Sequence, residues 1–301
     1  MNEEKIPIWY DLFKQIQYGG NVKADELMYH YTSADGLMGI IGKEHVKLRF
    51  TKYSVLNDTQ EGKILKDRYI AVCNELSEKG IIDNEVKEAF MEAIENPIQN
   101  YTHTLKDEKG TIIEKGNYNI EDMFICSFSR KQDSLSMWNY YVKNGGYQGY
   151  NIKIRCPIQK DIRAFRVEYS DENLKEVMTR CAERINERRE TEKQYRSLLN
   201  MLRHYLGFCR LIHKSEYFEH EEEVRLILTA EDAEKRKCKF REKNGVLMPY
   251  IERDFDKEIL QKITVGPLIE REVAKENLEL YLENNEYENV EIDYSKAPIR
   301  Y

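Results

Sequence analysis

The stretch MYHYTSADGLMGII, residues 28–41, passes from a strand pattern into a helix pattern within a few positions. ELMYHYT reads as a short strand. SADGLMGIIGK follows as a helix, with Ser33 as its N-cap and Gly42 at its end. His30, Tyr31 and Thr32 therefore fall side by side where the strand gives way. Together they offer a hydrogen-bonding imidazole, a ring face and a hydroxyl, which suit a ribose or a base. The same histidine also reads as a core residue satisfied by backbone groups.

Working outward, VKLRFTKY alternates apolar and polar residues like a strand. A turn signal at VLNDTQ opens a helix through NEL. Residues 84–104 read as helical, interrupted at Pro97, and KDEKG and EKGN mark a loop between 106 and 119. DMFICSFS is a strand, DSLSMWNYYVKN a helix, and GYNIKIRC and IRAFRVEYS are strands. Residues 171–215 form a helical insertion. EEEVRLILTA reads as a strand followed by the charged loop EDAEKRK. VLMPYI, ILQKITVGP and VEIDYS close the chain as strands, with a helix over EREVAKENLELYLENN. The predicted class is α+β, one domain over residues 1–301 with helical insertions. An amphipathic N-terminal helix is expected within residues 1–20.

Composition narrows the function classes. With 41% apolar and 34% charged residues, the 301-residue chain reads as a soluble globular protein. It lacks the run of ~20 apolar residues that a membrane span needs. MNEEKIPIWYDLF carries acidic residues and no long apolar core, so it is not read as a secretory signal. A cytoplasmic protein with no membrane partner is expected, its six scattered cysteines reduced. Cys126 and Cys156 lie in apolar strand patterns and are expected to pack as small hydrophobes. The net charge of −7 argues against binding nucleic acid through general electrostatics, and leaves room for a local basic patch.

Three further segments carry chemistry. In SVLNDTQEG, Asn57 and Asp58 can cap the following helix, and a helix N-terminus also binds anionic groups. In FICSFSRKQDSLSMWNYY, a strand delivers Ser127 and Ser129. The next helix carries Trp138, Tyr140 and Tyr141, read either as core or as a stacking platform. In HEEEVRLIL, residues 220–228, strand alternation puts Glu221, Glu223 and Arg225 on one face. Adjacent carboxylates resist joint ionisation unless a cation is near, and Arg225 supplies one. The alternative is an exposed edge strand decorated with charge. There is no G-x-G-x-x-G and no P-loop.

Taken together, YHYTSADGLMGII, LNDTQEG, CSFSRKQDSLSMWNYY, EEEVRLIL, ITVGP and YSKAPIRY resemble a bacterial family catalogued as domain of unknown function 2971. That family usually has a proline where Thr59 stands. The order of these motifs is in turn similar to the ADP-ribosyltransferase superfamily, whose site is split across three strands. The resemblance implies an ADP-ribosyltransferase-like split β-sheet and NAD as substrate. It implies Glu223 as catalytic carboxylate and Glu221 as its partner. His30 and Ser129 would hold the nicotinamide ribose, and Tyr140 or Trp138 would shape the nicotinamide pocket. Tyr31, Thr32, Asn57 and Arg225 would complete the NAD-binding set, with no metal. A carboxylate beside the ribose stabilises the oxocarbenium character that builds as the glycosidic bond breaks. By the same resemblance the acceptor is a nucleic acid or a protein, and the biological role is that of a toxin or phage-defence effector with an inhibitor or antitoxin partner. A non-catalytic nucleotide-binding or protein-interaction module is the alternative.

Overall fold

The computed structural model describes residues 22–56, 59–97, 100–106, 112–142, 147–159, 161–187, 192–230, 232–243 and 245–299. The predicted N-terminal helix and Asn57 lie outside them. In chain order the main elements are β1 (Leu27–Thr32), α1 (Ala34–Ile40), β2 (Val46–Lys52), α2 (Thr59–Glu78), α3 (Asn84–Glu95), β3 (Asn100–Lys106) and β4 (Ile112–Asn119). Then follow β5 (Phe124–Ser129), α4 (Leu135–Tyr141), β6 (Tyr150–Arg155), β7 (Ile162–Arg166), α5 (Glu172–Glu187), α6 (Glu192–Ile212) and β8 (Glu223–Leu228). β9 (Lys239–Lys243), β10 (Val246–Phe255), β11 (Leu260–Val265), α7 (Arg271–Asn284) and β12 (Glu291–Tyr294) complete the chain.

Contacts divide the chain into two units. The helical unit takes in Leu56–Met123 and Val167–Glu216. Leu65, Tyr69, Val72 and Leu76 recur at helical spacing on α2, and pack with Val86 and Phe90 of α3, Met178 and Cys181 of α5, and Leu206 and Cys209 of α6. Asp83 caps α3 by accepting the Val86 N–H at 2.9 Å. In this unit the sequence reading needs correction. Residues 84–104 were expected to be helical and 106–119 a loop, but from residue 100 on β3 and β4 pair as an antiparallel hairpin from Asn100↔Asn119 to Lys106↔Ile112. Their polar, threonine- and tyrosine-rich sequences lack the apolar alternation that would announce strands.

The sheet unit holds Val22–Val55, Phe124–Arg166 and Tyr217–Tyr301. Among the described residues ten strands join in one open sheet, ordered β12-β11-β6-β1-β5-β2-β10-β9, with β8 on β5 and β7 on β8. All pairings are antiparallel except β11 with β12. The architecture is mixed α+β. One face buries Phe50, Phe124, Cys126, Phe128, Ile152, Leu226 and Ile263, and takes Leu37 and Ile40 from α1 and Ala274, Leu278 and Leu282 from α7. Cys126 and Cys156 sit in this core, where burial pushes both thiols up to about 12. No helix among the described residues is long and apolar enough to cross a membrane.

Strand β5 is where the sheet forks. Along one edge it pairs with β8 over its whole length, from Phe124↔Leu228 to Ser129↔Glu223. Its other edge is shared. β2 pairs only with Phe124 and Ile125, and β1 only with Ser129. Between those two contacts, among the described residues, no strand pairs with Cys126–Phe128 on that side. Tight packing holds the end of β1: a Cβ on Gly36 would lie 1.9 Å from Thr32 Oγ1, and one on Gly149 would lie 2.5 Å from the Thr32 carbonyl oxygen.

Candidate functional site

Several of the residues singled out in the sequence lie on the three strands that meet at the fork. Tyr29 of β1 pairs with Ser129 of β5, which pairs with Glu223 of β8, so these three share one row and one face of the sheet. Alternation sends His30 the other way, and its ring lies 5.3 Å from that of Phe128. Its Nδ1 is 2.9 Å from the Ser127 carbonyl oxygen. A strand carbonyl points in the plane of the sheet, so the imidazole fills the gap of the fork and donates the hydrogen bond that a neighbouring strand would otherwise supply. Burial holds the His30 pKa below the ordinary histidine value; Arg241 adds to the effect and the bond to Ser127 opposes it. The ring is therefore neutral at physiological pH, with the proton on Nδ1 and a lone pair on Nε2. The ring satisfies the backbone through Nδ1, as the core reading of His30 expects.

Tyr31 and Thr32 serve the framework. Tyr31 is buried edge-on against Trp138, with centroids 4.8 Å apart. Its hydroxyl donates to the Lys131 carbonyl at 2.9 Å and accepts the Ser134 N–H at 3.0 Å. Burial holds the phenol far above its ordinary pKa. Ser129 is fully buried; its hydroxyl donates to the Glu221 carbonyl at 2.5 Å and accepts the Lys131 N–H at 2.9 Å. The hydroxyl expected to hold a ribose is thus committed to backbone atoms, because the chain must turn at both of its neighbours.

The acidic triplet is not a continuous strand row. Glu221 ends a short 3-10 helix, Glu222 takes a left-handed φ of 42°, and β8 begins at Glu223. The turn at Glu222 lets its carbonyl accept the Arg130 N–H at 3.0 Å, and its carboxylate meets Lys131 at 2.7 Å. Glu221 and Glu223 are 3% and 6% exposed. Tyr141 on α4 donates to Glu221 Oε1 at 2.9 Å. Arg225 grips Glu223 with two bonds, Nε to Oε1 at 2.9 Å and Nη2 to Oε2 at 3.3 Å. Because β8 is paired on both sides and buried along its length, it is not the exposed edge strand of the alternative reading.

Helix α4 sorts its aromatics by exposure. Trp138 is fully buried, its Nε1 donating to Asp133 Oδ1 at 2.7 Å, which makes it core rather than a ligand platform. Tyr140 is 61% exposed and 5.8 Å from the His220 ring, and Tyr141 is 44% exposed, so these two present ring surface to solvent. Asp133 also accepts from Ser295 Oγ and the Lys296 N–H, both at 2.7 Å, fastening the stretch after β12 to the loop before α4.

The sequence reading missed Tyr29 and Asp133, and named Tyr141 without its contact to Glu221. Tyr29 had a signal, since it shares strand parity with Tyr31. The contacts of Tyr141 and Asp133 had none, because their partners lie 80 and 162 residues away in the chain. Compared with family models, curated proteins and solved structures, the chain matches none of them.

Proposed function

We propose that the chain is an NAD-using ADP-ribosyltransferase, or a closely related NAD glycohydrolase, built on an ADP-ribosyltransferase-like split sheet. The observation that carries this reading is the row across the fork at β5, where Tyr29 of β1, Ser129 of β5 and Glu223 of β8 share one face of three neighbouring strands, with His30 on the opposite face. The resemblance of its motifs to domain of unknown function 2971, and to the superfamily's three-segment site, points the same way. In this reading His30 supports the fork from the opposite face of the sheet, through its bond to the Ser127 carbonyl, rather than holding the ribose. Tyr140 stacks on the nicotinamide. Glu223, oriented by Arg225, stabilises the positive charge that develops on the ribose, and Glu221, held by Tyr141, positions the acceptor or water. Ser129 fixes the Glu221 turn and is a positioning residue. The acceptor is a nucleic acid, a protein or water.

A second reading has one specific observation behind it. Glu223 is neutralised by a two-point contact with Arg225 in a buried setting, which suits a non-catalytic nucleotide-binding or interaction module. Incubation with NAD separates the two, with free nicotinamide followed by chromatography. Release that falls ~100-fold or more in Glu221→Gln or Glu223→Gln, in variants that still fold, supports the enzyme. A thermal shift with NAD and no release supports the binding module. Neither signal refutes both.

A further inference from the structure

Strand β9 ends the sheet on one side, and among the described residues no strand pairs with its outer edge. All five of its residues, Lys239–Lys243, are exposed. Lys239, Arg241 and Lys243 pair with Tyr250, Met248 and Val246 of β10, so the three cations share one face. Phe240 and Leu247 lie on the other, 59% and 68% exposed. Arg236 and Lys237 extend the basic stretch from the preceding turn. A chain whose net charge is −7 thus concentrates cations on one bare strand edge.

Such an edge is a template for another strand, because alternate residues aim N–H and C=O groups away from β10. Lysines on an edge also bar self-pairing. In an antiparallel pairing of two copies centred on Arg241, Arg241 would face Arg241 and Lys239 would face Lys243, a ladder of like charges. The charges that exclude a second copy select the opposite sign.

We propose that β9 accepts, as an added strand, an extended acidic segment of a partner protein. Its carboxylates alternate to meet Lys239, Arg241 and Lys243 on one face, and an apolar side chain between them covers Phe240 on the other. Main-chain hydrogen bonds along the edge supply affinity, and the two-residue period of charge supplies specificity. Lys239 already meets Glu252, and Arg241 Nη2 donates to Thr51 Oγ1 at 3.0 Å, so Lys243 contributes most to selection.

The test uses the full chain and a fluorescent synthetic peptide of alternating Glu and Val at low ionic strength, read by anisotropy. Three comparison probes accompany it: a peptide of the same composition with its Glu residues in one block, the alternating peptide N-methylated at alternate amides, and a single-stranded oligonucleotide. The alternating peptide is expected to bind at least ~10-fold more tightly than the blocked or N-methylated forms. Lys243→Glu should weaken it about 5-fold, the upper end for one opposite-charge cross-strand pair. Placing Lys in the peptide opposite position 243 should restore binding to that variant. Equal binding of alternating and blocked peptides, indifference to N-methylation, or absence of peptide binding overturns the proposal. So does an oligonucleotide that binds more tightly than the peptide with the same dependence on Lys243, which would make this edge a nucleic-acid surface.

Discussion

Replacing Arg225 by alanine would remove the two-point guanidinium contact from the buried Glu223 carboxylate. The two side chains are each 7% exposed and joined at 2.9 and 3.3 Å, so the pair is largely withdrawn from water. Removing one partner of such a pair costs about 3–5 kcal/mol. A domain's whole stability is ~5–15 kcal/mol, so the loss would be a large share of it. Glu223→Gln combined with Arg225→Met removes both charges and keeps the volume, and should lie within ~1 kcal/mol of the parent. Urea unfolding followed by circular dichroism measures all of these, with the slope of the transition checked for constancy. If Arg225→Ala lost less than ~1 kcal/mol, or if the double variant were as unstable as the single one, the pair would not be the buried unit described. The same variants serve the NAD assay, because they separate loss of the fold from loss of the carboxylate.

His30 makes stability depend on pH. Its folded pKa is depressed, so the unfolded chain binds the proton more readily, and the stabilisation is present above the ordinary value of 6.5 and lost as pH falls below it. His30→Asn keeps a donor for the Ser127 carbonyl, and the difference in unfolding free energy between parent and variant should shrink on acidification; a difference independent of pH would contradict the buried neutral imidazole. Gly36→Ala should destabilise by ~1–3 kcal/mol despite alanine's better helix propensity, because its Cβ would lie 1.9 Å from Thr32 Oγ1, and adding Thr32→Ala should recover most of the loss in thermal unfolding. Ser129→Ala leaves the Glu221 carbonyl and the Lys131 N–H without their shared hydroxyl, and should cost ~1–3 kcal/mol with faster amide exchange at Lys131.

Much of the sheet was legible because its strands bury one face and so alternate. The alternation of FICSFS is read directly in Phe124, Cys126 and Phe128 on the core face. Helices α5, α6 and α7 were visible for the matching reason, a helical period of apolar residues. The left-handed turn at Glu222 was hidden: three identical residues carry no local mark of where the backbone reverses, and the turn depends on Arg130, Ser129 and Lys131, some 90 positions earlier in the chain. The aromatics of α4 were ambiguous because Trp138 and Tyr140 differ in depth only through helix rotation against β1. Strand β9 (Lys239–Lys243) went unread just after the charged loop EDAEKRK, since an edge with no buried face has no apolar rhythm to reveal it.

The grip of Asp133 on the indole of Trp138 and on Ser295 and Lys296 couples the protein's spectroscopy to its tail. Anything that pulls the terminal segment aside also removes competing donors from the carboxylate that holds the indole nitrogen. Intrinsic emission from Trp138 should therefore register detachment of Ser295 and Lys296 from Asp133.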